Sequence, residues 1–172
     1  MQKTEGGCSF LKLNKLYDLK HLSKLIQTEK DKKRTIVLAN GCFDLIHVGH
    51  VRYLKEAAAK GDVLVVALNS DSSVKKLKGK GRPVLKEDER AEIIASFYFV
   101  DYVTIFVEKN VEHILLALKP QVHAKGSDYR EDNVPEKDIV KSYGGKVAIT
   151  GGSKIKSASE LIQKIALNTN HE

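Results

Sequence analysis

Short apolar runs rich in β-branched residues alternate along this chain with segments of helical periodicity, and this alternation constrains its fold more than any other feature. Each run is short and bounded by polar or glycine-containing segments, which is typical of a buried strand. Because parallel strands need crossover connections, strands that alternate with helices indicate an open parallel sheet. The predicted strands are 35–39, 62–68, 102–106, 121–124 and 146–150.

We therefore expect an α/β fold, a Rossmann-like open parallel sheet of about five strands with helices on both faces. Leucines recur at helical spacing from position 13 onward and predict an amphipathic helix over 14–30. Residues 1–34 then form a leader with this helix, which packs on the body or on a second subunit of a homodimer, and 35–172 form the main domain. The other predicted helices are 48–60, 87–99, 110–118, 135–143 and 157–166.

Charge and composition exclude several classes of protein. The 172 residues carry a net charge of +7, but segment 1–34 holds +5 of it, and aromatic residues are not interleaved with the basic ones. Neither feature favours a nucleic-acid partner. No apolar run approaches the ~18–20 residues that span a bilayer, so we expect no membrane partner. Two cysteines cannot build a disulfide scaffold, which favours a cytoplasmic location.

Two histidines follow the first predicted strand, in the segment 40–50 that enters a helix. His47 and His50 are three positions apart and share a helix face, while Gly49 lets a ligand approach the backbone closely. The amino end of a helix attracts anions, so the segment predicts a phosphate site. Two alternatives are ordinary capping or core histidines and a metal site with Cys42 as third ligand.

The pattern Gly41-x-Phe43-Asp44-x-x-His47-x-Gly49-His50 resembles the signature of the HxGH nucleotidyltransferases, the cytidylyltransferase-like family. Segments 67–74, 77–79, 82–83, 89–90, 100–103 and 125–129 follow in the expected order, so the resemblance covers about 35–165. Within the family, the chain is most similar to the adenylyltransferases of ADP-heptose synthesis. The resemblance implies an enzyme that transfers AMP from ATP to a sugar 1-phosphate, D-glycero-β-D-manno-heptose 1-phosphate, for the inner core of lipopolysaccharide.

The resemblance also implies roles for individual residues. Gly79, Gly81 and Pro83 predict that the basic segment 75–82 is a mobile lid, with an ordinary solvated lysine run as the alternative, and the resemblance favours Lys78 as its phosphate contact. The implied reaction predicts Mg²⁺ held mainly through the ATP phosphates, with Asp44 as a water-mediated contact and no dedicated metal site. Arg90 either contacts ligand or pairs with a nearby carboxylate. The implied sites are catalytic His47, His50 and Lys78; nucleotide-binding Gly41, Phe43, Gly49, Ser157 and Ser159; and substrate-binding Asp44, Asn69, Arg82, Lys125 and Asp128.

Several alternatives remain open at this point. Ser157 with Glu160 fits a helix capping box as well as a phosphate contact, and Ala158 stands where the family usually has a hydroxyl. Asp128 fits an Asx turn as well as a sugar contact. Two other functions are a cytidylyltransferase acting on glycerol 3-phosphate or a similar phosphorylated alcohol, and a non-catalytic nucleotide-binding module.

Overall fold

The computed structural model describes residues 15–152 and confirms the α/β prediction. Within these residues, five strands form one entirely parallel sheet in the order β3-β2-β1-β4-β5. The strands are β1 (Ile36–Gly41), β2 (Val63–Asn69), β3 (Tyr102–Phe106), β4 (Val122–Gly126) and β5 (Lys146–Thr150). The helices are α1 (Leu19–Asp31), α2 (Val48–Ala58), α3 (Asp71–Lys78), α4 (Glu87–Ala95), α5 (Glu112–Leu118) and α6 (Lys137–Ser142), with a 3₁₀ turn at Glu131–Asn133.

Alternation of side chains along the strands creates two apolar cores, one on each face of the sheet. On β1, Val37 and Ala39 face the core under α2 and α4, while Ile36 and Leu38 face the core under α1, α5 and α6. Both faces of the central strands are therefore buried, which explains their continuous apolar sequence.

Two strands, β1 and β4, extend two residues further toward their carboxyl ends than the sequence predicts. β1 runs to Gly41 and β4 runs to Gly126, in each case two residues beyond the apolar run. Parallel pairing explains the extension, because Gly41 pairs with Leu68 and Gly126 pairs with Thr150. The hydrogen-bonded ladder continues where the hydrophobic pattern has already stopped.

The first helix begins at Leu19, so the prediction of a helix from position 14 is wrong at its start. The Asp18 carboxylate caps α1 by accepting the His21 N–H at 2.9 Å. Residues 15–17 instead run beside β3, where Tyr17 N–H donates to Val103 O at 3.0 Å. This segment covers the exposed edge of the sheet, and α1 itself packs on the body of the same chain.

The segment 69–82 is not the continuous loop that its serines and lysines suggest, because α3 occupies Asp71–Lys78. Ser70 caps this helix by accepting the Ser73 N–H at 3.2 Å, and Val74 anchors it in the interior. Only 79–86 remains as a connection to α4, so a lid over 75–82 is wrong for its first half. α4 ends at Ala95 rather than at 99, and the predicted helix 157–166 lies outside the described residues.

No helix within residues 15–152 combines the length and the apolar character that crossing a bilayer requires.

Candidate active site

A cleft of about 720 Å³ opens at the carboxyl edge of the sheet. The strand order reverses there, because β2 and β3 lie on one side of β1 whereas β4 and β5 lie on the other. Open α/β sheets bind ligands at such a reversal. Ser157 and Ser159 lie outside the described residues. Every other residue that the sequence implies for the site lines this one cleft, namely Gly41, Phe43, Asp44, His47, Gly49, His50, Asn69, Lys78, Arg82, Lys125 and Asp128.

The two motif histidines cap the amino end of α2 reciprocally. The His47 Nδ1 accepts the Gly49 N–H at 3.1 Å, and the His50 Nδ1 accepts the His47 N–H at 3.3 Å. A neutral imidazole whose Nδ1 accepts a hydrogen bond carries its proton on Nε2. Each ring is therefore an Nε2–H donor, and the two ring centroids lie 4.0 Å apart on the cleft wall. The two histidines therefore cap the helix through Nδ1, as one alternative predicted, and each still has an Nε2–H donor.

Burial, together with the neighbouring His47, lowers the pKa of His50 to about 4. The ring is therefore neutral at neutral pH, in the tautomer that its capping bond selects. Phe43 supports it edge-on, with 5.4 Å between ring centroids. A Cβ at position 41 would lie 3.1 Å from the Phe43 ring, so a larger residue than glycine would require that ring to shift.

Asp44 and Arg82 bind each other. The Arg82 Nε donates to Asp44 Oδ2, and Asp44 Oδ1 accepts the N–H groups of Val84 and Leu85 at 2.7 and 3.1 Å. Asp44 is buried, so its oxygens serve to hold the 79–86 connection against the loop after β1. Asp44 therefore has a structural role in addition to lining the cleft, and its contact with substrate or with a magnesium-bound water stays a prediction.

Arg90 is completely buried and ties four segments together. Its guanidinium donates to the carbonyl oxygens of Asn69 at 2.8 Å and of Leu85 at 3.0 Å, and also to the Cys42 carbonyl. It forms an ion pair with Asp71 at 2.7 Å, so the carboxylate alternative for Arg90 is confirmed. The loops that carry the site are thus fixed to one another through this side chain.

A second polar group lies across the cleft from the histidines. The buried Lys125 Nζ lies 3.3 Å from Glu136 Oε1, 3.4 Å from Asn40 Oδ1 and 4.7 Å from the centroid of the Tyr129 ring. Asn69, which the resemblance places at the substrate, uses its Nδ2 to donate to Ser73 Oγ at 3.0 Å and so anchors α3.

Lys109, Asn110 and Glu136 are among the cleft residues that the sequence analysis does not single out. The loop after β3, which carries Lys109 and Asn110, was predictable in principle, because the carboxyl end of β3 meets the same sheet edge as the others. Glu136 carried no signal, since it lies beyond the 3₁₀ turn and reaches the cleft only through the fold.

Within residues 15–152, no group of three or more His, Cys, Asp or Glu side chains is placed to hold a metal ion. His47, His50 and Cys42 therefore do not form the alternative metal site. Burial also raises the pKa of the Cys42 thiol, which disfavours the thiolate that a metal would need.

We expect stability to fall below about pH 6.5. Burial lowers the pKa of His123 to about 3, and His50 is lowered to about 4, against 6.5 for a free histidine. The unfolded chain therefore takes up protons that the folded chain refuses, at about 1.4 kcal/mol per pH unit for each histidine. Stability is highest above pH 6.5 and declines toward pH 4.

Urea denaturation at pH 7.5 and pH 5 tests this expectation. His123→Gln should lose about 2 kcal/mol less than the wild type over that interval, because one of the two histidines is gone. Equal losses in the two proteins would contradict the assignment of His123 as a buried neutral group.

An imidazole-capped helix at the switch point of this sheet, beside a lysine-lined cleft, defines an α/β nucleotidyltransferase domain. Residues 38–165 match the family model described as Cytidylyltransferase-like, and the chain belongs to this family.

Bifunctional protein HldE of Geobacter metallireducens is 47% identical over 151 residues, which are 88% of this chain and 31% of that protein. The HldE of Pseudomonas putida is 44% identical over 150 residues, 87% of this chain and 32% of that protein. The chain thus spans about a third of the length of the curated relatives it matches.

Two solved structures are also similar to this chain. The lipopolysaccharide core biosynthesis protein of Thermoplasma volcanium is similar at TM-score 0.60 and 29% identity, over 72% of this chain and 99% of that one. The pantoate-β-alanine ligase of Francisella tularensis, at TM-score 0.55 and 15% identity, covers 84% of this chain and 68% of that one, and it supports the fold alone.

Proposed function

We propose that this chain transfers AMP from ATP to D-glycero-β-D-manno-heptose 1-phosphate, forming ADP-heptose and pyrophosphate for the inner core of lipopolysaccharide. The observation that carries the reaction class is the reciprocal cap, which fixes His47 and His50 as Nε2–H tautomers in the lining of a cleft that Lys78 and Lys125 also line. The relatives named HldE and the lipopolysaccharide core protein support this choice of acceptor.

The reaction is an in-line displacement at the α-phosphorus. An oxygen of the sugar phosphate forms the new P–O bond, and the bond to pyrophosphate breaks with its electron pair leaving on pyrophosphate. The second pKa of a phosphate monoester is near ~6, so the nucleophile is largely ionised and needs no strong base. Catalysis then consists of positioning and charge stabilisation. His50, neutral at neutral pH, is suited to donate a hydrogen bond from its Nε2–H, and its lowered pKa makes it a weak base.

Mg²⁺ fits this cleft as an ion that arrives with the triphosphate. The described residues offer no acidic cage, and the Asp44 oxygens are engaged by Arg82, Val84 and Leu85. Mg²⁺ commonly keeps several waters and is bound by substrate phosphates. When bound, it neutralises phosphate charge, while the chain orients the phosphates through His47, His50 and Lys78.

Lys78→Met should lower turnover by about 10- to 100-fold with little change in stability, because a hydrogen bond to a charged group contributes about 1.5–3 kcal/mol. Lys78 is exposed and lines the cleft at the end of α3. Lys76→Met, on the same helix but outside the cleft, is the matched control. The measurements are the steady-state turnover rate and the melting temperature of both variants. Equal turnover rates in the two variants would show that Lys78 takes no part in the reaction.

The proposed function is tested by measuring pyrophosphate release. Each of ATP, CTP, GTP and UTP is paired in turn with heptose 1-phosphate and with glycerol 3-phosphate. The proposal predicts turnover with ATP and heptose 1-phosphate. Turnover with CTP and glycerol 3-phosphate would support the cytidylyltransferase alternative. Nucleotide binding without release from any pair would support a non-catalytic module.

A further inference from the structure

We infer that Asn40, at the carboxyl end of β1, is a further substrate-binding residue whose side-chain amide donates hydrogen bonds to the phosphate of the acceptor. This inference rests on the proposed function, since it assigns the acceptor's half of the cleft. Asn40 is half-buried and lines the cleft.

Two buried neighbours determine which way the amide of Asn40 faces. The Lys125 Nζ lies 3.4 Å from the Asn40 Oδ1, and the His123 Nε2 lies 3.1 Å from the same atom. An ammonium group only donates, so the amide atom beside it is the oxygen. His123 is fully buried and neutral, and it therefore donates its Nε2 proton to that oxygen. The lysine and the histidine together hold the amide in one orientation.

The other end of the amide is available to a ligand. Within residues 15–152, the Asn40 Nδ2 has no hydrogen-bond partner. The atom is not buried. Because the residue lines the cleft, its two N–H donors are accessible from there. Donors held in one orientation lose little conformational entropy when a ligand binds.

The face of the sheet on which Asn40 lies favours the acceptor over the nucleotide. By alternation along β1, Asn40 follows Ile36 and Leu38 on the face covered by α1, α5 and α6. His47 caps α2 and His50 lies in its first turn, and α2 packs on the opposite face. If the histidines hold the nucleotide's phosphates, an in-line nucleophile approaches from the other side, where Asn40 lies beside a lysine. An ammonium and an amide are suitable donors for a phosphate dianion.

Asn40→Asp separates binding from folding. The substituted side chain keeps an oxygen facing Lys125 and His123, so the melting temperature should not fall. The second carboxylate oxygen of the aspartate stands where asparagine has its NH₂ group. Its negative charge should repel the phosphate of the acceptor. We expect the KM for heptose 1-phosphate to rise by about 10- to 100-fold, with the KM for ATP changed less than about threefold.

Asn133→Asp is the matched control. Asn133 is exposed, its Oδ1 accepts the Arg130 N–H at 2.8 Å, and it lies outside the cleft. The substitution adds the same charge, and both KM values should stay at wild-type levels. An equal rise in both variants would assign the effect to net charge and overturn the inference.

His123 acts on this site as a positioning residue, and its variants test the orientation of the amide. His123→Phe removes the donor and should raise the KM for the acceptor selectively. His123→Gln restores an N–H donor and should recover part of the loss. A fall in kcat with unchanged KM in both variants would contradict the positioning role.

An NMR measurement distinguishes failure of this inference from failure of the proposed function. The Asn40 side-chain NH₂ signals, identified by their absence in Asn40→Asp, should shift when heptose 1-phosphate is added and shift less with ATP. Turnover in the wild type with no such shift, or with unchanged KM in Asn40→Asp, overturns the role of Asn40 and leaves the function intact. A shift without turnover supports Asn40 as a phosphate ligand and rejects the transfer reaction.

Discussion

His47→Asn is expected to lower kcat for pyrophosphate release by roughly 10²–10³-fold, the cost of removing one preorganised donor from an electrostatic site. Asparagine is among the best residues at a helix N-cap, so its side chain can still accept the Gly49 N–H that His47 Nδ1 now accepts. It is too short to place a donor where the Nε2–H lies. Helix α2 should therefore stay capped while the chemistry is lost.

The measurement is steady-state kinetics with ATP and heptose 1-phosphate, accompanied by thermal melts of each protein. His21→Asn is the control, because His21 is an exposed histidine on α1 outside the cleft. Its kinetics should match the wild type. Wild-type rates in His47→Asn would show that the imidazole takes no part in the reaction.

Arg90→Met is expected to lower the free energy of unfolding by about 3–5 kcal/mol, the usual cost of deleting one partner from a buried, charged hydrogen-bond network. The guanidinium is completely buried, and it is the donor to three backbone carbonyl oxygens and to the Asp71 carboxylate. Methionine fills similar space but donates nothing, so these acceptors would be left without their partner.

Urea denaturation of Arg90→Met against Arg52→Met tests this expectation. Arg52 is exposed on α2, and its replacement should change stability by no more than about 0.5 kcal/mol. A similar small change in Arg90→Met would show that the guanidinium is not what joins the loops. Because those loops carry the site, the folded fraction of Arg90→Met should also turn over more slowly than the wild type.

Much of the molecule follows from local sequence patterns. Apolar runs mark all five strands, and the glycines and histidines of 40–50 mark the loop and helix start that line the cleft. These features are readable because hydrophobic periodicity and helix capping depend on residues close together in the chain.

Other features depend on residues distant in the chain. Lysines 75, 76 and 78 suggest a solvated loop, yet burial of Val74 against the body of the domain makes them part of α3. The leucine at 16 continues a helical pattern, yet pairing with β3 draws its segment to the sheet edge. In both cases a tertiary contact outweighed a local preference.

The sequence by itself determined the parallel α/β architecture, the family and the position of the two motif histidines at the start of α2, because each of these depends on local pattern. Only the tertiary structure decided that Asp44 is engaged by Arg82, that Arg90 joins the loops, and that His123 and Lys125 orient Asn40. The hydrogen bonds that join Asp44 to Arg82, Cys42 to Arg90, and Asn40 to His123 and Lys125 connect residues 38 to 85 positions apart in the chain. The direction of a buried polar group depends on which donors and acceptors folding places beside it.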